Sequence, residues 1–162
     1  MLMITPEDVQ RNIPKAMRWV TQSEQACMET GQQLSPQRKR DAQAIGVQQI
    51  GVVRIMLSNE IPLPDDPELR QLVLQSGLGS SRGITFGHGI VLKPGAYDRH
   101  LIAHELAHVM QYERFGGIEP FLVAYIPEVV FPPYYPNDGP LEQEAERLAN
   151  TRVPQSGLTP RR

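Results

Sequence analysis

A five-residue segment, His104-Glu105-Leu106-Ala107-His108, sets the strongest condition on how this chain folds. On a helix, positions four apart differ by only about 40° and one turn, so both imidazoles project from one face. The flanking residues agree with a helix. Asp98 offers an N-cap and Gly116-Gly117 an exit, so the predicted helix runs from Asp98 to Phe115. Ile102, Leu106 and Val109 form an apolar back, whereas Leu101, Gln111 and Tyr112 share the histidine side. Such a helix buries one face and lines a cleft with the other. The spacing suits two ring nitrogens reaching one zinc ion at about 2.0–2.1 Å. Glu105 lies about 100° round from His104, beside the metal and not on it, where it can take a proton from a zinc-bound water.

Composition bounds what surrounds this helix. The 162 residues allow one domain, and a net charge of −2 leaves no global basic field for nucleic acid or an anionic membrane. The short basic runs Arg38-Lys39-Arg40 and Arg161-Arg162 read as solvated faces. A lone cysteine, Cys27, excludes an intrachain disulfide and a Cys-based zinc knuckle; it sits on the apolar side of a helical pattern and reads as core. Apolar stretches such as Phe121 to Ile126 fall far short of the about 20 residues a membrane span needs. The first residues lack the basic and apolar regions of a signal peptide, so a cytoplasmic location is expected.

The first third reads as helix. Thr5-Pro6-Glu7-Asp8 starts it, Pro14 is expected to break it, and a longer helix then runs to about Thr30 with Gly31 as its stop. Ser35-Pro36 opens a second helix, whose Ala42, Ile45 and Gln49 carry the pattern towards Gly51. Val52 to Leu57 is β-branched and short, a strand; Asp66-Pro67-Glu68 starts a short helix stopped by Gly77. Ile84 to Leu92 alternates as strand, interrupted at Gly87-His88-Gly89 by a bulge or tight hairpin. Glu119-Pro120 begins a helix expected to end at Pro127, and Phe131 to Pro140 is a Pro/Tyr-rich loop. Pro140 opens the last helix, with Leu141, Ala145 and Leu148 on one side, and Gln155 to Arg162 reads as a loose tail.

A catalytic zinc needs three protein ligands and an open position. The carboxylates available downstream are Glu142, Glu144 and Glu146. A helical wheel places Glu142 and Glu144 about equally beside the apolar face, so it does not choose between them. Glu142 has Glu146 four residues on, able to accept the other N–H of a zinc-ligating histidine. His100 is too far along one helix to share a metal with His108, since the outer pair of the three histidines stands about 12 Å apart. It reads as a rim residue. The metzincin class needs a third histidine six residues beyond His108, where Arg114 stands, and is excluded.

With these motifs the chain resembles the gluzincin zinc metallopeptidases, in which H-E-x-x-H is followed on a later helix by a glutamate motif, here Glu142-Gln143-Glu144-Ala145-Glu146. More narrowly, Leu101 to Tyr112, the Pro140-Leu141-Glu142 segment and the strand-like Gly83 to Ile90 are similar to small bacterial metallopeptidase-like domains found with extracellular contractile injection systems. The resemblance covers about residues 83–150. It implies His104, His108 and Glu142 as zinc ligands, Glu105 as general base and Glu146 as the partner of a ligating histidine. Glu146 departs from the Asp more usual there. The resemblance also implies that the strand near Ile84–Leu92 holds an extended peptide by edge pairing.

The expected activity is hydrolysis of peptide bonds in a peptide or protein substrate, with Zn2+, a zinc-activated water and Glu105 as base. Tyr134 and Tyr135, on the loop before Glu142, are candidate donors to the developing oxyanion, with His88 and His100 behind them. Two other readings use the same residues: a catalytically inert zincin-fold binding or regulatory module, and a peptidase that cuts a single partner. The expected fold is α+β, a mainly helical zincin-like domain with a small sheet, and the zinc between the Asp98–Phe115 and Pro140–Thr151 helices. Residues 1–162 form one metallopeptidase-like domain on this reading, with a helical N-terminal portion (1–50), a zincin-like core (51–152) and a flexible tail (153–162).

Overall fold

In a computed structural model, which describes residues 3–135 and 138–154, most of the α-helices begin where a short polar side chain or a proline stands. The Thr5 side chain and the Asp8 carboxylate cap each other's backbone N–H groups, and Pro6 fills the first position of α1 (Pro6–Thr30). Ser35 caps α2 (Pro36–Ile45), Asp66 caps α3 (Pro67–Ser76) and Asp98 caps α4 (Arg99–Phe115). The last two helices among the described residues are α5 (Ile118–Val130) and α6 (Pro140–Arg152).

Strands β1 (Gln32–Gln33), β2 (Arg54–Leu57), β3 (Gly83–Phe86) and β4 (Gly89–Leu92) form one sheet in the order β1-β2-β4-β3. β2 and β4 run parallel, with Ile55 opposite Ile90, and the other pairs are antiparallel. The Gly87-His88 pair is a hairpin turn, with Gly87 at φ +65°, the sign a type II′ turn demands of its first central residue. β3 therefore lies at an edge of the sheet.

β4 is buried along its whole length, and its alternation divides the core. Ile90 and Leu92 join α2, α4 and α6 in one cluster, with Ile102, Leu106 and Val109 of α4 at its centre. Val91, with Phe86 of β3, joins α1, α3 and α5 in the other. The α+β architecture is as expected. No helix among the described residues is long and apolar enough to cross a membrane.

Several boundaries differ from the sequence reading. α1 runs unbroken through Pro14, because Val9, Ile13, Ala16 and Val20 on either side all pack into the same cluster. α5 continues past Pro127 to Val130, and the Pro127 carbonyl still accepts from the Phe131 N–H. α2 stops at Ile45, where Gly46 takes the left-handed conformation (φ +114°); the three-to-four spacing of Ala42, Ile45 and Gln49 continues past a helix that has ended. Ile50–Val52 is a 3-10 turn, so β2 begins only at Arg54. β1 had no signal, being two exposed glutamines. Val153 is buried in the α2, α4 and α6 cluster. The expected loose tail Gln155–Arg162 lies outside the described residues, as do residues 136 and 137 of the Pro/Tyr-rich loop.

Candidate metal centre

The histidine face of α4 is met by the first turns of α6. His104 and His108 stand with ring centroids 4.9 Å apart, and Glu142 reaches both. His104 Nε2 is 3.0 Å from Glu142 Oε1, and His108 Nε2 is 3.3 Å from Oε2. One ligand atom from each of the three residues lies within 4.8 Å of the others. Pro140 at the start of α6, with Leu141, Ala145 and Leu148 buried, fixes which way Glu142 points.

The far nitrogens are also held. His104 Nδ1 lies 2.9 Å from Glu146 Oε1, and the other oxygen of Glu146 meets His100 Nε2 at 2.8 Å. His108 Nδ1 lies 2.8 Å from Gln111 Oε1. The Gln111 amide group donates to the Leu141 carbonyl and to Glu144, which identifies its oxygen as the acceptor facing His108. Nδ1 of each histidine is thus a donor, and each Nε2 is turned to the centre. Glu144 is occupied elsewhere, bound by both terminal nitrogens of Arg114 at 2.7 Å. Of the two acids the helical wheel left equal, Glu142 is therefore the one that joins the histidines.

Charge at the centre follows from these contacts. Burial works against protonation of His108, but its bond to Glu142 and the nearby carboxylates outweigh it and push its pKa up to about 9. His104 is likewise raised, against its own burial, by the bond to Glu142. Burial would raise Glu142, yet His104, His108 and Tyr125 hold its carboxyl well below the usual carboxylate range. Two imidazoles and one carboxylate, clustered and oriented by outer partners, with Tyr125 donating to Glu142, fit a zinc ion. Three protein ligands would leave the fourth position of a tetrahedral zinc ion to a non-protein ligand.

Glu105 is buried, 4% exposed, beside this set. Its Oε1 accepts from the Thr85 hydroxyl of β3 at 2.6 Å. Tyr125 of α5 donates to Glu142 Oε2 at 2.6 Å, and its ring lies edge-on to His108 at 6.0 Å. Neither Thr85 nor Tyr125 was singled out from sequence. Tyr134 and Tyr135 are exposed, outside the cavity beside the metal set, and the Tyr135 hydroxyl donates to the Gln75 carbonyl. The signal for Tyr125 was its place four residues after Phe121: Tyr112, Phe121 and Tyr125 stack in sequence, with centroids 3.9 and 5.1 Å apart, and lead from α4 back to the metal set. His88 is remote from these contacts, bound to Glu113 and Glu24. Cys27 is fully buried, and burial pushes its thiol up to about 12, as a core residue requires.

The family model described as the eCIS core domain matches residues 75–116, about a quarter of the chain. That match links the chain to proteins associated with extracellular contractile injection systems. It spans β3, β4 and α4, so it contains Thr85, His104, Glu105 and His108 but not Tyr125, Glu142 or Glu146. Searches of curated proteins and of solved structures give no match.

Proposed function

We propose that this chain is a zinc-dependent peptidase of the gluzincin kind, acting on a peptide or protein substrate. The observation that carries the reading is the convergence of His104, His108 and Glu142, from two helices, on one point beside a buried glutamate. Zinc held by these residues supplies Lewis acidity towards a peptide carbonyl and towards water.

The chain's own groups do the rest. Thr85 fixes Oε1 of Glu105, and Oε2, which takes no hydrogen bond among the described residues, is free to accept a proton from the attacking water. Glu105 then returns that proton to the leaving amine nitrogen as the C–N bond breaks. Tyr125 donates its one O–H to Glu142 and so anchors that ligand. Gly83 to Phe86 of β3 border the same cavity at a sheet edge, which suits an extended peptide laid along the strand.

The test is digestion of a mixed peptide library by zinc-loaded wild type and Glu105→Gln, read by mass spectrometry. Cleavage by wild type, lowered about 100-fold or more in Glu105→Gln at equal zinc content, is the expected result. Zinc binding by both proteins with no cleavage by either would instead favour the inert zincin-fold module.

A further inference from the structure

A single cavity of about 390 Å³ runs from the metal set into the interior, within the size range of ligand pockets. One end is formed by His104, Glu105, His108 and Glu142. The other is walled by Val9 and Trp19 of α1, Leu69 and Val73 of α3, Phe86 of β3 and Val129 of α5. α1, α3 and α5 contribute no charged side chain to it. Of the polar groups at this end, Ser76 Oγ donates to the Val73 carbonyl and Asn12 Nδ2 to the Asp8 carbonyl, and the buried Asn12 Oδ1 is a lone acceptor without a partner among the described residues. Interiors pack to crystal-like density, so an apolar space this large and continuous with a metal centre is suited to a guest.

We infer that this cavity selects the substrate: it takes a large apolar side chain, leucine, phenylalanine or bigger, on a residue adjoining the bond to be cut. The inference rests on the peptidase reading above and adds the substrate class. Arg82, the one Arg or Lys of the lining, is largely exposed and paired with Asp98. A charged side chain reaching the apolar wall would therefore be buried with no opposite charge to meet it, a lone amide oxygen of Asn12 apart, and is disfavoured. Glycine or alanine would leave the space unfilled and forgo the burial of apolar area. Helices α1 and α3 up to Leu74, which build most of the far wall, precede the segment matched by the family model, so the selectivity belongs to this chain's own N-terminal half.

The test uses the zinc-loaded full chain and three probes: acetyl-leucine, acetyl-phenylalanine and acetyl-glycine hydroxamates, whose hydroxamate group chelates zinc. Trp19 is the only tryptophan and lies on the far wall, so its emission reports entry, and calorimetry gives the affinities. The leucine and phenylalanine probes should bind about tenfold or more tighter than the glycine probe and alone change Trp19 emission. Val73→Phe, which fills the cavity, should remove that advantage with zinc content unchanged. Should Val73→Phe fail to fold, Val73→Ala serves, and the preference for phenylalanine over leucine should rise about threefold. Equal binding of all three probes by a zinc-loaded chain, or no shift in Val73→Ala, overturns the inference and leaves the metal centre standing. A chain that takes up no zinc overturns the peptidase reading, and this inference with it.

Discussion

The Tyr125 hydroxyl and the Nδ1 partners of the two histidines do for Glu142, His104 and His108 what the backbone alone cannot: they fix which atom of each faces the others. Outer partners of this kind are worth about 10- to 100-fold in metal affinity. Tyr125→Phe should therefore weaken zinc binding by about tenfold, measured by competition with a chromogenic chelator, and leave the far-ultraviolet spectrum unchanged. Unaltered affinity would mean that the hydroxyl does not anchor the ligand. The two histidines and Glu105 were legible from spacing, because helical geometry places them without reference to the rest of the fold. The helical wheel left Glu142 and Glu144 equal, and Glu146, four residues on, favoured Glu142; the contact that holds Glu144 away, with Arg114 thirty residues off in sequence and within 2.7 Å, has no trace in spacing. Tyr125 was missed for the same reason. Nearness in sequence to Glu142 favoured Tyr134 and Tyr135, whereas a ladder of stacked rings between α4 and α5 delivers Tyr125.

Elements are joined at the far end of the sheet by a latch around the β3–β4 turn. The His88 backbone N–H donates to Glu24 of α1 at 2.7 Å, and its ring meets Glu113 of α4 at 2.8 Å. Glu113 in turn accepts the Gln48 and Gln49 N–H groups. The bond with Glu24 raises the His88 pKa above 6.5 against its burial, and burial of Glu24 is outweighed by His88, which lowers its carboxyl below 4.5. The His88 contribution is full below pH 6.5 and is lost as pH rises through its raised value. That of Glu24 is full above pH 4.5 and is lost as pH falls through its lowered value. The stability difference between wild type and His88→Gln should be on the order of 1 kcal/mol near pH 6 and shrink by pH 9, in urea titrations. A difference independent of pH would show that His88 acts there only by its shape. At the next residue α1 crosses β4 so closely that a Cβ on Gly89 would lie 2.6 Å from that of Cys27. Gly89→Ala should cost about 1–3 kcal/mol, seen as a lower thermal midpoint. A midpoint equal to wild type would contradict that packing. Gly87-His88-Gly89 was readable as a turn, but the closeness of α1 was not, because nothing local records which helix passes over a strand.

At the scale of the molecule, the centre depends on parts that lie far apart in the chain. β3, β4 and α4 bring the histidines and Glu105, α6 brings Glu142, and α1, α3 and α5 wall the cavity that opens beside them. The α+β class and the pairing of the Asp98–Phe115 helix with the last helix were legible because caps and apolar stripes mark them strongly. The helices carrying Pro14 and Pro127 were not, since packing on both sides of each proline overrides its local preference. The central claim is that α4 and α6 together hold zinc through Glu142 and not through its neighbour. Metal content by mass spectrometry on wild type, Glu142→Ala and Glu144→Ala, purified without chelator, tests it most directly. One zinc per chain is predicted in wild type and Glu144→Ala and its loss in Glu142→Ala; no zinc in wild type, or equal zinc in Glu142→Ala, would contradict it.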